Sequence, residues 1–223
     1  MKTEIRSIAD EIQSPSIAAR DWVFQVIRTA IMRGVLPCNM PLRQEEISDA
    51  LNVSHIPVRE AFRQLEAYGL IKIYPNRGAV VATLTRKELV DMCEVLFILE
   101  KTALNEAFDN MTFEQLKFIS ASVRKIDEND EWHFASSNMP LHLSWCIPSK
   151  NNTMLSFIEQ IRANVDRFLR HSQSSLLQSA DIMKEHIEIT DAFVNRDRTA
   201  LNEAFKKHFE RERELMLDSK FLS

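Results

Sequence analysis

The sequence predicts a mainly α chain of two domains: a small N-terminal one of three helices and a β-hairpin, then a larger all-helical bundle. Three observations carry this reading. Apolar residues recur at i, i+3, i+4 spacing through most of the 223 residues. Glycine occurs only three times, which disfavours a turn-rich β fold and glycine-rich phosphate loops. Alternation of period two is convincing in one place only, the stretch 71–82.

Residues 17–33 set Ile17, Trp22, Val23, Val26, Ile27, Ala30 and Ile31 on one broad helical face. Gly34 stops that helix and Pro37 follows. A short second helix spans about 44–51, with Asn52 as a left-handed stop. Ser54 is a suitable N-cap for a third, and Pro57 is tolerated in its first turn. Its apolar stripe is Val58, Phe62 and Leu65, and Gly69 ends it. Ile71 and Ile73 then alternate with Lys72 and Tyr74, Pro75-Asn76-Arg77-Gly78 makes a turn, and residues 79–82 form a second strand. Thr85 with Glu88 is a capping box opening a long helix, and Thr112 with Gln115 opens the next. Further helices are expected near 131–147, 151–173, 179–194 and 198–217, the last capped by Asp197. The domain boundary falls near 85, giving 1–85 and 86–223.

Composition narrows the function classes. Hydrophobic residues at 45% are enough for real cores, and 27% charged residues, evenly spread, argue against disorder. The net charge of −4 excludes a basic nucleic-acid coat. Yet residues 1–85 hold 10 Lys and Arg against 9 Asp and Glu, so the acidity lies in the second domain and the first is the place for a polyanion partner. No apolar run reaches the roughly 18 residues of a membrane span, and MKTEIRSIADEIQ has no signal-peptide core. Cys38, Cys93 and Cys146 are odd in number and form no CxxC pair, which fits a reduced, cytoplasmic compartment. Nucleophile elbow, HExxH and P-loop patterns are missing.

Three helices and a hairpin in about 70 residues make a winged helix-turn-helix pattern. His55, Arg59 and Arg63 lie four residues apart on the third helix and can enter a major groove together. Arg59 presents a planar fork to guanine or phosphate. Ser54 at the helix N-terminus suits a phosphate contact. The hairpin tip, Asn76, Arg77 and Gly78, is placed to reach a minor groove.

The stretch IRTAIMRGVLPCNMPLRQEEISDALNVSHIPVREAFRQLEAYGLIKIYPNRGAVV resembles the N-terminal domain of GntR-family bacterial transcription regulators. PVREAFRQLEAYGLI and PNRGAVV are its specific parts. Where the family has Ser-Arg-Thr-Pro-Val-Arg-Glu-Ala, this chain has Ser54-His55-Ile56-Pro57-Val58-Arg59-Glu60-Ala61. His55 is a weaker, pH-dependent donor than arginine, and Ile56 offers only apolar contact, for example to a thymine methyl. The operator sequence therefore does not carry over from relatives.

Residues 86–217 resemble the FadR-like C-terminal (FCD) domain of the same family, an all-helical bundle. The resemblance implies a cavity for a small effector, usually an organic acid, and in many members a divalent metal held by an aspartate and three histidines. The corresponding positions here are Asn138, His142, His186 and His208. Three imidazoles suit zinc or nickel. Two features depart from the pattern. Asn138 brings a carbonyl oxygen without charge, which makes it a weak ligand. Pro140 lies between Asn138 and His142, so either the helix kinks there or it starts near Ser137 or Asn138. The arginine that relatives place four residues before Glu100, to pair with a ligand carboxylate, is Leu96. Of Arg162, Arg167 and Arg170, at least two are expected in surface salt bridges, and His133 and His171 on the surface. Glu185 is expected to point about 100° away from His186.

These readings imply a ligand-responsive transcription regulator, a repressor, acting as a homodimer on a near-palindromic double-stranded operator. Two alternatives stay open: a metal-dependent hydrolase using the same trio, and an effector-independent DNA-binding protein, which a sealed apolar bundle interior would support.

Overall fold

The computed structural model describes residues 2–12, 18–75, 78–125, 131–170, 179–219 and 222. The chain divides into two compact units between Thr83 and Leu84.

The first unit contains α1 (Lys2–Glu11), α2 (Ala19–Met32), β1 (Pro41–Leu42), α3 (Gln44–Leu51), α4 (His55–Ala67), β2 (Ile71–Tyr74) and β3 (Gly78–Val81). The expected hairpin belongs to a three-stranded antiparallel sheet ordered β1-β3-β2. Ile71 faces Val81 across it, and Leu42 of β1 faces Ala79. β1 was not anticipated, because two residues are too few to show alternation. Neither was α1, yet its Ile5, Ile8 and Ala9 are buried in the same core as Val23, Ile27, Val58 and Phe62. Arg6 donates to the carbonyl of Ala50 at 3.0 Å, and Arg33 to Glu11 at 3.0 Å, so α1 is fastened to α3 and α2. Asn52 adopts φ 52°, the left-handed residue that lets α3 turn tightly into α4. Ser54 occupies the N-cap position of α4, but its side chain makes no capping hydrogen bond.

The second unit holds α5 (Arg86–Asn110), α6 (Phe113–Val123), α7 (Glu131–Cys146), a 3-10 turn (Ile147–Ser149), α8 (Asn152–Arg170), α9 (Ser179–Val194) and α10 (Arg198–Leu217). Both capping boxes form, and the Asp197 carboxylate accepts from Ala200 N at 2.9 Å. The core runs from Leu89, Cys93 and Leu104 through Trp145, Ile158 and Phe168 to Phe193, Phe205 and Met216. α7 is helical on both sides of Pro140, so a start at Ser137 or Asn138 is ruled out. α9 and α10, joined by three residues, pack closely and bring α9's inner face against α10.

Candidate functional sites in the two units

Helix α4 buries Val58, Ala61, Phe62 and Leu65. The opposite side exposes His55, Ile56, Arg59 and Arg63, with Ser54 exposed just ahead. Positions 55, 59 and 63 form one row because four residues advance little more than a turn. Ile56 is 60% exposed, an apolar side chain presented to solvent in the same exposed stretch as His55 and Arg59. His55 Nδ1 lies 3.4 Å from Ser48 Oγ on α3. Gly78 at the base of the wing has φ +81°, and a Cβ there would stand 3.1 Å from the Leu42 carbonyl oxygen. Asn76 and Arg77 lie outside the described residues.

In the second unit three helices deliver His142 (α7), His186 (α9), and His208 with Glu212 (α10) to one point. All four are buried, and their donor atoms lie within 4.8 Å of one another. His142 Nε2 is 3.1 Å from His208 Nε2, and Glu212 Oε1 is 3.5 Å from the former and 3.6 Å from the latter. A tetrahedral shell with bonds of about 2.0 Å has edges of about 3.3 Å, so this triangle is of coordination size. Among the described residues, neither ring nitrogen of His186, both buried, has a hydrogen-bond partner, nor has Asn138 Oδ1. Buried polar atoms are rarely left so, and the His186 ring centroid stands 4.5 Å from that of His208 and 5.5 Å from that of His142. The residues thus fit a divalent cation of the zinc or nickel kind, which would supply a Lewis-acid anchor for an oxygen ligand.

Around this cluster lies an arginine that the sequence reading placed elsewhere. Arg162 of α8 is fully buried, and Arg167 is 3% exposed, so neither is a surface salt-bridging residue. The side chain of Arg170, like that of His133, is outside the described residues, and so is His171. Arg162 meets Glu100 through two bonds of 2.7 Å, Glu212 Oε2 at 3.0 Å, Asp166 at 3.1 Å and His142 Nδ1 at 2.6 Å. A guanidinium carries five N–H groups, and these contacts use all five. Leu96 is core, and the cation that meets Glu100 comes from α8 instead.

The contacts also set the histidine tautomers. A guanidinium nitrogen only donates, so His142 Nδ1 accepts and its proton sits on Nε2. That Nε2–H donates to His208 Nε2, and His208 Nδ1–H donates to Glu185 Oε2 at 3.3 Å. Glu185 is therefore turned from His186, as expected, but it is buried and orients His208, with Arg211 holding its other oxygen at 2.8 Å.

Burial is the largest influence on His186 and His208 and lowers both. Burial would raise Glu212 and Glu100, but the Arg162 guanidinium outweighs it, holding Glu212 well below the carboxylate range and Glu100 at about 2. Asp166, where burial prevails over Arg162, is pushed up to about 6. At His142, burial and Arg162 oppose a charge while Glu212 and Glu100 favour it, and the balance lies above the ordinary histidine value. The 2.6 Å Arg162 contact demands the opposite, a lone pair on Nδ1. The contact takes precedence, because two donors cannot share that distance.

The comparisons with known proteins agree with both units. The FCD domain family matches residues 91–211, and bacterial regulatory proteins of the gntR family match residues 19–81. The chain belongs to the GntR family of bacterial regulators, with an FCD domain. Among curated proteins, it is 24% identical over 211 residues to the HTH-type transcriptional repressor RspR of Escherichia coli K12, covering 88% of each chain. Among solved structures, E. coli McbR/YncC superposes with a TM-score of 0.81 at 16% identity, over 90% of this chain and 97% of that one. A GntR regulator from Rhodococcus sp. RHA1 gives 0.77 at 19% identity, over 89% and 97%.

In this GntR-family chain the sequence reading missed Glu212, Arg162, Glu100 and Asp166 as members of the polar cluster. Their local signal is slight. His208 and Glu212, like Arg162 and Asp166, stand four apart and so share a helix face. Such pairs are common on solvated faces, and nothing local marks these as buried.

Proposed function

We propose that this regulator is a ligand-responsive repressor that binds a near-palindromic operator as a homodimer. The observation that carries it is the row His55, Ile56, Arg59 and Arg63, exposed on a helix whose other side is locked in the core. Arg59 and Arg63 would meet phosphates or guanine edges, Ile56 a thymine methyl, and Ser54 a phosphate at the helix start. Gly78, with Asn76 and Arg77, would serve the wing. Two copies would place two such rows on two half-sites. Exposed apolar side chains of the bundle, among them Val95, Ile98, Phe113 and Phe118, give a second copy surface to cover. Acting on the chromosome, the protein works in the cytoplasm, and no described helix is long and apolar enough to cross a membrane.

The bundle interior supports a sensing role over an effector-independent one. It is not sealed with apolar side chains but holds three histidines, Glu212, Glu100, Asp166 and Arg162. A divalent metal would be held by His142, His186 and His208, with Asn138 and Glu212 beside them. A small oxygen-rich effector such as an organic acid suits that site. Arg162 has no uncommitted N–H to offer it, so a carboxylate would need another anchor. Effector binding changes DNA affinity only if it favours one helix arrangement over another.

The test is fluorescence anisotropy with DNA flanking the regulator's own gene, across a salt series. Specific binding with a steep salt slope that Arg59→Ala weakens supports the reading. Wild-type-like affinity in Arg59→Ala removes α4 from the interface.

A further inference from the structure

Position 138 has lost the carboxylate that the rest of the cluster would ask for, and the structure holds another in its place. Glu212 stands one turn after His208 on α10 and is fully buried. Its Oε1 faces both His142 Nε2 and His208 Nε2 at 3.5 and 3.6 Å. Its Oε2 is fastened to Arg162 at 3.0 Å. Asn138 meets the same Oε1, donating from Nδ2 at 2.8 Å. A carboxylate only accepts, so this contact fixes the amide orientation: Asn138 turns its nitrogen toward Glu212. An amide nitrogen carrying two hydrogens has no lone pair for a metal.

We infer that Glu212 is the anionic ligand of a divalent-cation site made of three histidines and one glutamate, His142, His186, His208 and Glu212, and that Asn138 and Arg162 are positioning residues that aim its carboxylate. This inference rests on the metal reading above and refines it. The two oxygens of Glu212 divide the work. Arg162 holds Oε2, which fixes the plane of the group and leaves Oε1 directed at the two imidazole nitrogens. Asn138 steers Oε1 from the α7 side. The charge also suits a dication: one guanidinium stands against the carboxylates of Glu100 and Glu212, with Asp166 beside them, so the pocket keeps a negative excess. His186 brings two buried nitrogens that no group of the described residues satisfies. Three neutral imidazoles and one carboxylate are a donor set for zinc or nickel and not for magnesium or calcium, which favour all-oxygen shells.

The experiment is a chelator-competition titration with Zn(II) on the full chain, comparing wild type with Glu212→Gln, Asn138→Ala and His186→Ala, each checked for helicity by circular dichroism. Glu212→Gln keeps the shape and the acceptor toward Arg162 but removes the charge. The expected result is a loss of affinity above about 100-fold in Glu212→Gln, and a smaller one, about 10-fold, in Asn138→Ala, as is usual for a group that orients a ligand. Wild-type zinc binding that survives in Glu212→Gln but collapses in Asn138→Ala overturns the assignment while leaving the metal reading standing. No zinc bound by the wild type, at any chelator strength, overturns both. Should Glu212→Gln fail to fold, Glu212→Asp carries the test: it retains the charge but withdraws the oxygen by one methylene. Affinity equal to wild type in that folded variant refutes the placement of Oε1.

Discussion

Replacing Arg162 with methionine removes the cation paired with Glu100, Asp166 and Glu212, and strands these carboxylates of α5, α8 and α10. The size of the effect can be worked from Glu100. Its carboxyl lies at about 2 against an ordinary 4.5, a difference that corresponds to about 3 kcal/mol of interaction with its surroundings. Breaking a buried ion pair by deleting one partner costs about 3–5 kcal/mol, which brackets the same figure. With a urea slope of about 2 kcal/mol per molar, the unfolding midpoint of the helical bundle should fall by about 2 M. Circular dichroism at 222 nm is the assay, since the bundle supplies most of the helix.

The pH dependence gives the sharper check on the same variant. In the wild type the depressed carboxyl stabilises fully above the ordinary carboxylate range, and that contribution is lost as pH falls from about 4.5 toward 2. In Arg162→Met the guanidinium is gone, and burial, already the largest influence on Glu100, lifts its pKa above 4.5. The folded variant then takes up protons and gains stability as pH falls. The gap between the two proteins should narrow from pH 7 to pH 5. A gap below about 1 kcal/mol at pH 7, or one that does not change with pH, would refute the reasoning.

Three smaller effects follow from single contacts. Arg59→Ala should weaken operator binding by about 1–3 kcal/mol and flatten the salt slope by about one ion, without moving the unfolding midpoint, as read by anisotropy and urea titration. Gly78→Ala should cost about 1–2 kcal/mol in the first unit, because φ +81° is strained for an L residue and the new Cβ crowds the Leu42 carbonyl oxygen; thermal unfolding of the DNA-binding unit measures it. Thr85→Ala removes the hydroxyl that accepts from Glu88 N at 3.2 Å and should destabilise the start of α5 by about 1 kcal/mol, seen as faster amide exchange over residues 86–89.

Local chemistry settled much of this protein before any long-range contact was known. Helix stops at Asn52, capping boxes at Thr85 and Thr112, the Asp197 cap and the period-two run at 71–82 are each written within four or five residues, and each forms. The histidine trio was legible through resemblance at three positions, and the structure does gather His142, His186 and His208. Other features depended on groups distant in the chain. β1 exists only because β3 offers it an edge, and α1 only because its three apolar residues find the core of α2 and α4. Arg162 finds Glu100 across 62 positions and Glu212 across 50. A guanidinium beside a carboxylate costs little to leave in water, so nothing in a helix-face pattern says that this one is buried. Burial is a property of the packed bundle. Once α5, α7, α8 and α10 close around it, low polarity makes every unpaired charge expensive and selects the arrangement in which all five guanidinium hydrogens are met.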